Sequence, residues 1–309
     1  MAQTYYPRSV LITGAGGNLG RKVIEWLART EWCRSIIGLD VTTDVGPFSP
    51  GASARLKLVA GDLLQANSGW QDAFRGVDAV IHFAAQNPHT DASWEDAVAS
   101  FDMTFNVAAS AEKAGVHRIV FASSNHVMGG YKDFPLAGTM GPGHLTTSIA
   151  PAPGTKWSTG HGFMDSTAYA VSKLMCERLC VDMAAQSEGR LTAVAVRIGW
   201  TQPGENLART INLAGDPKYG VGPEPTDEEG KRDLRWYRNM WLSNDDLGRL
   251  FEAAVTADAS RWPAPGIVVN GMSANEGMDW DIKQTEQLLG YKAQQNIYAE
   301  LRAGSAAHA

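Results

Sequence analysis

A tyrosine and a lysine four residues apart are the first side chains in this sequence that could do chemistry together. Tyr169 and Lys173, in STAYAVSKLMCERL, lie in a segment with helical periodicity, so both emerge on one helix face. A phenol has an ordinary pKa of about 10, and a neighbouring ammonium favours the phenolate. Ser124, expected at the end of a facing strand, could hold a substrate oxygen. The three residue types predict proton removal from a hydroxyl, as hydride transfer requires.

A glycine-rich turn lies near the N-terminus. Gly14, Gly17 and Gly20 in TGAGGNLG separate the apolar run VLIT from a helical pattern that begins near Leu19. Glycines at such a turn let the backbone approach a pyrophosphate, and the helix N-terminus then faces the negative charge. Asp40 ends the second apolar run, twenty residues after Gly20, where a carboxylate can accept hydrogen bonds from both ribose hydroxyls. Because this carboxylate would repel a 2′-phosphate, and no arginine follows in DVTTDVG, we expect NAD rather than NADP.

Other residues after the apolar runs could meet the same extended ligand. Asp62 follows the third run and Ala84 and Ala85 follow the fourth. Their alternative roles are a turn or helix cap for Asp62 and simple packing for the alanines. The predicted cofactor-binding residues are Gly14, Gly17, Asn18, Leu19, Gly20, Asp40, Asp62, Leu63, Ala84, Ala85, Lys173 and Ile198.

The elements that must position these residues alternate along the chain. Short β-branched runs are separated by stretches long enough for helices, which predicts an α/β fold of the Rossmann type, with a doubly wound parallel sheet. The predicted strands are Val10–Thr13, Ile36–Asp40, Leu56–Val59, Ala79–Phe83, Ile119–Ala122, Val194–Ile198 and Ile267–Asn270.

Two segments interrupt this rhythm. Residues 133–166 and 201–235 are rich in Gly, Pro, Ser and Thr and have little periodicity, so we predict long loops. Both follow strands that end on the carboxyl edge of the sheet, where ligands bind in such folds. They either cover a substrate or are disordered insertions. We divide the chain into an NAD-binding domain at 1–200, with the first loop inserted, and a small substrate-binding region at 201–309, interleaved with the last strand and helices of the core.

Two polar residues follow Ser124 in FASSNHVMGG. The amide of Asn125 and the imidazole of His126 suit a hydroxylated or anionic substrate. The structural alternative is that Asn125 caps a turn and His126 bonds a backbone carbonyl.

Taken together, TGAGGNLG, Asp40, HFAA, FASSNHVMGG and YAVSK resemble the extended short-chain dehydrogenase/reductase superfamily, also called the NAD-dependent epimerase/dehydratase family. The resemblance covers residues 8–200 and the segment 241–255. It implies that the glycines, Asp40 and Asp62 bind NAD, that Lys173 also holds the nicotinamide ribose, and that Ser124, Tyr169 and Lys173 are catalytic. Dehydratases of this family keep an acid/base carboxylate pair just after the serine, and Asn125 and His126 cannot replace it.

Within the superfamily, SSNHVMG, YxVSK, VRIG and WLS-DD are most similar to uronate dehydrogenases, which oxidise C1 of a hexuronic acid to a lactone. Trp200 stands where those enzymes have a substrate-binding serine, and Arg235 and Arg238 flank the position of their substrate arginine. A solvated basic cluster is the alternative for these arginines. Four tryptophans in or beside the variable segments could stack on a sugar ring or pack as core. The predicted substrate-binding residues are Asn87, Ser124, Asn125, His126, Trp200, Arg235 and Arg238.

The composition excludes several classes of function. The chain has 309 residues and a formal charge of −6, so it offers no basic stripe for nucleic acid or anionic lipid. The N-terminus has no signal-peptide pattern and no apolar run is long enough to span a membrane, which predicts a cytoplasmic protein. Cys176 and Cys180 are spaced as core residues of one helix, and no metal site is suggested. We expect a small-molecule substrate and a homo-oligomer, a dimer or higher.

The sequence thus predicts NAD-dependent oxidation of a sugar hydroxyl, at C1 of an aldose or an acidic sugar such as a uronate, with Tyr169 as the base. A nucleotide-sugar epimerase or a carbonyl reductase of the same family is the alternative among enzymes. From another class, a non-catalytic dinucleotide sensor is the alternative, although such relatives typically lack the tyrosine and lysine.

Overall fold

Seven parallel strands form one sheet at the centre of the chain. The computed structural model describes residue 5 and residues 7–86, 92–159 and 162–306. Along the sheet the strands lie in the order β3-β2-β1-β4-β5-β8-β9, a doubly wound arrangement that confirms the predicted fold class. The strands are β1 (Ser9–Thr13), β2 (Ser35–Asp40), β3 (Leu56–Ala60), β4 (Ala79–His82), β5 (Arg118–Ser124), β8 (Thr192–Ile198) and β9 (Gly266–Gly271).

Helices cover both faces of the sheet. The described helices are α1 (Asn18–Leu27), α2 (Pro50–Ser53), α3 (Trp94–Ala114), α4 (Thr167–Gln186), α5 (Glu228–Asn239), α6 (Asn244–Thr256), α7 (Lys283–Leu289) and α8 (Ile297–Ala306). Apolar residues of α1 and α6 share one buried cluster with one face of the sheet, and those of α3 and α4 share a second cluster with the other face.

The alternation of side chains along a strand explains why these runs are apolar throughout. In β1, Val10 and Ile12 belong to the cluster under α1 and α6, whereas Leu11 belongs to the cluster under α3 and α4. A strand buried on both faces has no polar positions to alternate with, which is typical of parallel sheets. Cys176 and Cys180 of α4 are buried in the second cluster, as predicted.

Both segments predicted as loops contain regular structure. A two-stranded antiparallel hairpin, β6 (Lys156–Ser158) and β7 (Phe163–Asp165), lies within 133–166, and α5 begins at Glu228 within 201–235. The predictions were wrong there because three-residue strands carry too little pattern to detect, and because α5 is signalled mainly by its N-cap, Asp227, which accepts a hydrogen bond from Gly230 N at 2.8 Å.

The two segments and the C-terminal region share a third apolar cluster, beyond the carboxyl edge of the sheet. Trp157 comes from the first segment, Ile211 and Trp236 come from the second segment and α5, and Trp280 follows β9. The inserted segments pack on this cluster. In the part of the chain that the structure describes, none of the helices has the length and apolar character needed to cross a membrane.

Candidate active site

A cavity of about 830 Å³ lies at the carboxyl edge of the sheet, where β1, β2, β4 and β5 end. We call one part of it the glycine end; it is lined by 14, 16–20, 39–41, 44–45, 61–64 and 83–86. The other part, the tyrosine end, is lined by 124–126, 157, 169, 199–201, 215–217, 237 and 240. One continuous space therefore connects the glycine-rich turn to the tyrosine.

The glycines at the glycine end are required by the backbone. Gly14 has a φ of +67°, a conformation that side chains rarely adopt, and a Cβ there would lie 3.0 Å from Ala84 N. A Cβ on Gly20 would lie 2.2 Å from Gly14 O, so α1 could not pack so closely against the turn with any other residue. The space above the turn is kept open for a ligand that approaches the backbone.

The N-terminus of α1 is available to such a ligand. Side chains of Ser93, Asp227 and Ser243 cap α3, α5 and α6, whereas within the described residues no side chain caps α1 at Gly17. Residues 17–20, which include the first residues of this helix, line the cavity, and the first N–H groups of a helix have no partner within the helix. These features fit the pyrophosphate of a dinucleotide.

Acidic side chains line the far part of the glycine end. Asp40 Oδ2 accepts a hydrogen bond from Gly16 N at 2.8 Å and Oδ1 accepts one from Val41 N at 2.8 Å. Asp62 Oδ1 accepts from Leu64 N at 2.9 Å, so this residue both caps a turn and lines the cavity. Asp44, which the sequence reasoning did not single out, lines the same wall. The arrangement suits the hydroxyls of a ribose.

A buried network lies directly beneath the turn. Thr13 Oγ1 is 2.6 Å from His82 Nδ1 and accepts a hydrogen bond from Ala84 N at 3.2 Å, while His82 Nε2 is 3.1 Å from Thr104 Oγ1. Burial, together with a smaller effect of the charge of Lys173, lowers the pKa of His82 to about 3. The ring is therefore neutral, and it fixes the ends of β1 and β4.

Ser124, Tyr169 and Lys173 meet at the tyrosine end. Ser124 is the last residue of β5, and Tyr169 and Lys173 are in the first two turns of α4, which packs against β5. Lys173 Nζ donates to Ala122 O at 2.8 Å and lies 5.7 Å from the ring centre of Tyr169. Ser124 and Tyr169 line the cavity, whereas Lys173 is buried behind the tyrosine. The sheet and one helix thus deliver a hydroxyl, a phenol and an ammonium to one place.

A buried ion pair holds α4 against β5 and β8. Arg197 makes two hydrogen bonds with Glu177, at 2.9 and 2.8 Å, and Glu177 also accepts a hydrogen bond from Ser123 Oγ at 2.5 Å. A paired and hydrogen-bonded buried charge is costly to disturb. The position of α4 relative to Ser124 is fixed by this contact.

Asn125 and His126 both line the tyrosine end. Asn125 Nδ2 donates to Ile198 O at 3.0 Å, and it is Ser124 Oγ, not Asn125, that caps the turn by accepting from His126 N at 3.2 Å. His126 Nδ1 is 2.9 Å from Ser166 Oγ rather than bonded to a backbone carbonyl. Burial lowers the pKa of His126 to about 4, with a smaller effect in the same direction from Lys132, so the ring is uncharged at neutral pH.

Aromatic rings form the rest of the tyrosine end. Of the four tryptophans considered from the sequence, Trp157 and Trp200 line the cavity, and Trp236 and Trp241 are buried in the third cluster. Tyr237 lies between the two cavity tryptophans, with ring centres 6.5 Å from Trp157 and 5.7 Å from Trp200. Tyr237 was missed because α5 was not predicted from the sequence and no motif includes the tyrosine between Trp236 and Arg238.

The predicted substrate arginines are not brought to the cavity. Arg235 is exposed and donates to Gly277 O at 3.2 Å, and Arg238 pairs with Glu224. Neither is among the residues that line the cavity. Asn87 lies outside the described residues. The predicted cofactor residues other than Lys173 all line the cavity, Ile198 at the junction of its two ends.

Comparison with known proteins places this chain in a family. Residues 10–200 match the model of the NAD dependent epimerase/dehydratase family. The chain belongs to this family. It is an NAD-dependent enzyme, a dehydrogenase of the extended short-chain type. NAD is its cofactor, and the open glycine turn and the uncapped N-terminus of α1 fit that ligand.

Two curated relatives and one solved structure match over nearly the whole chain. An L-arabinose 1-dehydrogenase (NAD(P)+) from Haloferax volcanii is 30% identical over 93% of this chain and 96% of its own length. A uronate dehydrogenase from Pseudomonas syringae pv. tomato is 27% identical over 93% of this chain and 82% of its own length. The structure of a mutated uronate dehydrogenase superposes with a TM-score of 0.65 at 23% identity, covering 96% of this chain and 85% of that one, which shows the shared fold.

Proposed function

We propose that this chain is a sugar dehydrogenase that oxidises the C1 hydroxyl of an aldose or an acidic sugar to a lactone. The observation that carries the proposal is the convergence of Ser124, Tyr169 and Lys173 at one end of a cavity whose other end fits a dinucleotide. Relatives that span nearly the whole chain, named L-arabinose 1-dehydrogenase and uronate dehydrogenase, support a sugar as the substrate.

Each of the three residues has a separate task in this reaction. When bound, NAD supplies the hydride acceptor. Ser124 donates a hydrogen bond to the substrate oxygen, Tyr169 takes the hydroxyl proton, and the ammonium of Lys173 stabilises the negative charge on the phenol oxygen. Loss of that proton, and of the C1 hydrogen with its electron pair, leaves a C1=O double bond. Water opens the resulting lactone later without the enzyme.

The residues after Ser124 favour oxidation over elimination. Removal of water from a sugar requires one group to take a proton and another to protonate the leaving hydroxyl. Asn125 cannot do either. Burial lowers the pKa of His126 to about 4, so at neutral pH its ring is uncharged and is not an acid that could protonate the leaving hydroxyl. This pair suits hydrogen bonding to a sugar ring.

A substrate panel tests the reaction. The purified enzyme is incubated with NAD and free aldoses, uronic acids, phosphorylated sugars or nucleotide sugars, and absorbance of NADH is followed. We expect NADH and a lactone from a free sugar. Redox-neutral interconversion of a nucleotide sugar, without accumulation of NADH, would instead indicate an epimerase.

Replacement of the base tests the mechanism. Tyr169→Phe should lower kcat by at least about a hundredfold, the scale of a lost general base, while NAD binding stays unchanged. Tyr131→Phe is the matched control, because Tyr131 OH donates to Ala150 O at 3.0 Å, away from the cavity, and should retain wild-type kcat. Normal turnover by Tyr169→Phe would exclude Tyr169 as the base. If the variant has no turnover but keeps the full effect of the protein in the cell, the dinucleotide sensor would be favoured instead.

A further inference from the structure

Two buried polar atoms at the tyrosine end have no hydrogen-bond partner among the described residues. They are the hydroxyl of Tyr237 and Oδ1 of Asn125, on side chains that are 2% and 4% exposed. Both residues line the cavity. Because Asn125 Nδ2 donates to Ile198 O at 3.0 Å, the amide orientation is set and the oxygen is the free atom. A buried polar group without a partner is unfavourable, so these atoms are expected to be satisfied by a ligand.

The free atoms are suited to hydroxyl groups. An amide oxygen accepts a hydrogen bond, and a phenol both donates and accepts. His126 adds a ring nitrogen of a neutral imidazole beside them, since Nδ1 is engaged by Ser166 and the pKa is lowered to about 4 by burial and the nearby Lys132. An amide oxygen and a neutral imidazole give no charge that would attract an anion.

Four cations near this end, all in the described part of the chain, interact with other partners. Lys132 pairs with Asp133 at 2.8 Å and with Asp233 at 3.2 Å, and Lys173 donates to Ala122 O. Similarly, Arg197 pairs with Glu177 at 2.8 Å and Arg238 pairs with Glu224.

Within the described residues, no lysine or arginine lines the cavity. The undescribed segments 87–91 and 160–161 contain neither residue type in the sequence. A carboxylate, that of Asp216, does line the tyrosine end, with Lys218 3.1 Å away. An anionic substrate group would therefore meet a carboxylate here and no free cation on the cavity wall.

The aromatic rings complete a surface for a neutral ring. Tyr237 makes edge contacts with both Trp157 and Trp200, and His126 has its ring centre 5.9 Å from those of both Trp157 and Tyr169. Aromatic faces pack against the C–H groups of a sugar, while the free polar atoms bond its hydroxyls.

We infer that the substrate is an uncharged aldose, and that Tyr237 and Asn125 select it by hydrogen bonds to its hydroxyls. This inference rests on the proposed sugar oxidation and specifies its substrate class. A sugar acid or phosphate is disfavoured, because a charge buried without a partner loses more hydration than the cavity can replace.

Matched substrates test the charge preference. Initial rates with NAD are measured for L-arabinose, D-xylose, D-glucose and D-galactose, for the 6-carboxylates D-glucuronate and D-galacturonate, and for D-glucose 6-phosphate. We expect the best neutral sugar to exceed the best anionic sugar by at least about tenfold in kcat/KM. NADH formation that is equal or faster with an anionic sugar overturns the inference but leaves the sugar dehydrogenase in place. No NADH with any sugar overturns the proposed function itself.

A pair of tyrosine variants tests the role of Tyr237. Tyr237→Phe removes only the unpartnered hydroxyl, so KM for the best sugar should rise by about threefold to tenfold. KM for NAD should stay unchanged, and the melting temperature should not fall. Tyr291→Phe is the control, because Tyr291 OH donates to Met272 O at 2.9 Å in the core. It should lower the melting temperature and leave KM for the sugar unchanged. An unchanged sugar KM in Tyr237→Phe would show that the hydroxyl does not contact the substrate.

Discussion

The carboxylate of Asp40 is oriented before any ligand arrives. Its two oxygens each accept a backbone hydrogen bond, from Gly16 and Val41, and the residue lies half-buried at the end of β2 on the cavity wall. A carboxylate keeps further acceptor positions when one bond is made to each oxygen. Those positions can receive the two hydroxyls of a ribose, and a 2′-phosphate in the same place would meet a fixed negative charge.

Replacing this carboxylate should change the cofactor preference. We expect Asp40→Ala to raise KM for NAD by about tenfold or more, the effect of losing charge-assisted hydrogen bonds, and to raise the ratio of kcat/KM for NADP to that for NAD. The measurement is steady-state kinetics with both cofactors at a saturating concentration of sugar. Asp72→Ala, at an exposed position paired with Arg75, is the control and should leave both constants unchanged. An unaltered NADP/NAD ratio in Asp40→Ala would remove Asp40 from cofactor selection.

At the residue scale, sequence reasoning finds groups whose type and spacing are unusual and misses groups that look ordinary. Tyr169 and Lys173 were predictable because helical spacing alone puts them on one face. Tyr237 was not, because the helix that carries it was not predicted and the tyrosine between Trp236 and Arg238 belongs to no motif. Its free hydroxyl depends on which atoms surround it, and that is determined by packing between distant segments.

Three elements are joined beneath the glycine end by one neutral imidazole. Thr13 belongs to β1, His82 to β4 and Thr104 to α3, and all three side chains are at most 2% exposed. Burial lowers the pKa of His82 to about 3. In the unfolded chain this histidine takes up a proton below pH of about 6.5, whereas in the folded protein it stays neutral until about pH 3. Stability is therefore lost as the pH falls through this window.

This linkage predicts the pH dependence of unfolding. From pH 7 to pH 5, His82 should account for a loss of about 2 kcal/mol in the free energy of unfolding. The variant His82→Gln should be less stable than wild type at pH 7, since it disturbs the network, yet its loss between pH 7 and pH 5 should be smaller by that amount. Urea unfolding at the two pH values measures the difference. His144→Gln, at an exposed position, is the control, and a loss of the same size in His82→Gln and wild type would exclude His82 as the source.

At the element scale, the parts set by local pattern were predictable and the parts set by distant contacts were not. All seven strands of the parallel sheet were predicted to within two residues at either end, because buried strands are continuous apolar runs between turn residues. The hairpin of β6 and β7 has no such run. It is held by contacts across the chain, such as the hydrogen bond from Trp157 Nε1 to Ala214 O at 3.1 Å.

On the outside of the whole molecule, α3 presents large apolar side chains to solvent. Trp94, Val98 and Phe105 are 60%, 62% and 49% exposed, and they recur at helical spacing on one face. Met175 of the neighbouring α4 is 48% exposed. Contiguous exposed apolar surface of this kind commonly marks an association site, whereas single exposed residues do not.

We therefore predict a symmetric dimer in which α3 and α4 of one protomer pack on those of its partner. A two-fold interface is self-complementary, so a positive charge introduced on this face is repeated in both subunits and the two charges repel each other.

Sedimentation tests this dimer. It should give about twice the chain mass of 33.2 kDa for wild type and a shift toward the monomer for Val98→Lys and Phe105→Lys. Phe163→Lys, at an apolar residue that is 84% exposed but lies in the hairpin, should stay dimeric. A monomeric wild type at micromolar concentration, or lysine variants that remain dimeric, would show that this face of α3 and α4 is not a dimer interface. The described residues of one chain already bring Ser124 and Tyr169 to the cavity that the glycine-rich turn lines, so we expect the monomeric variants still to oxidise the sugar.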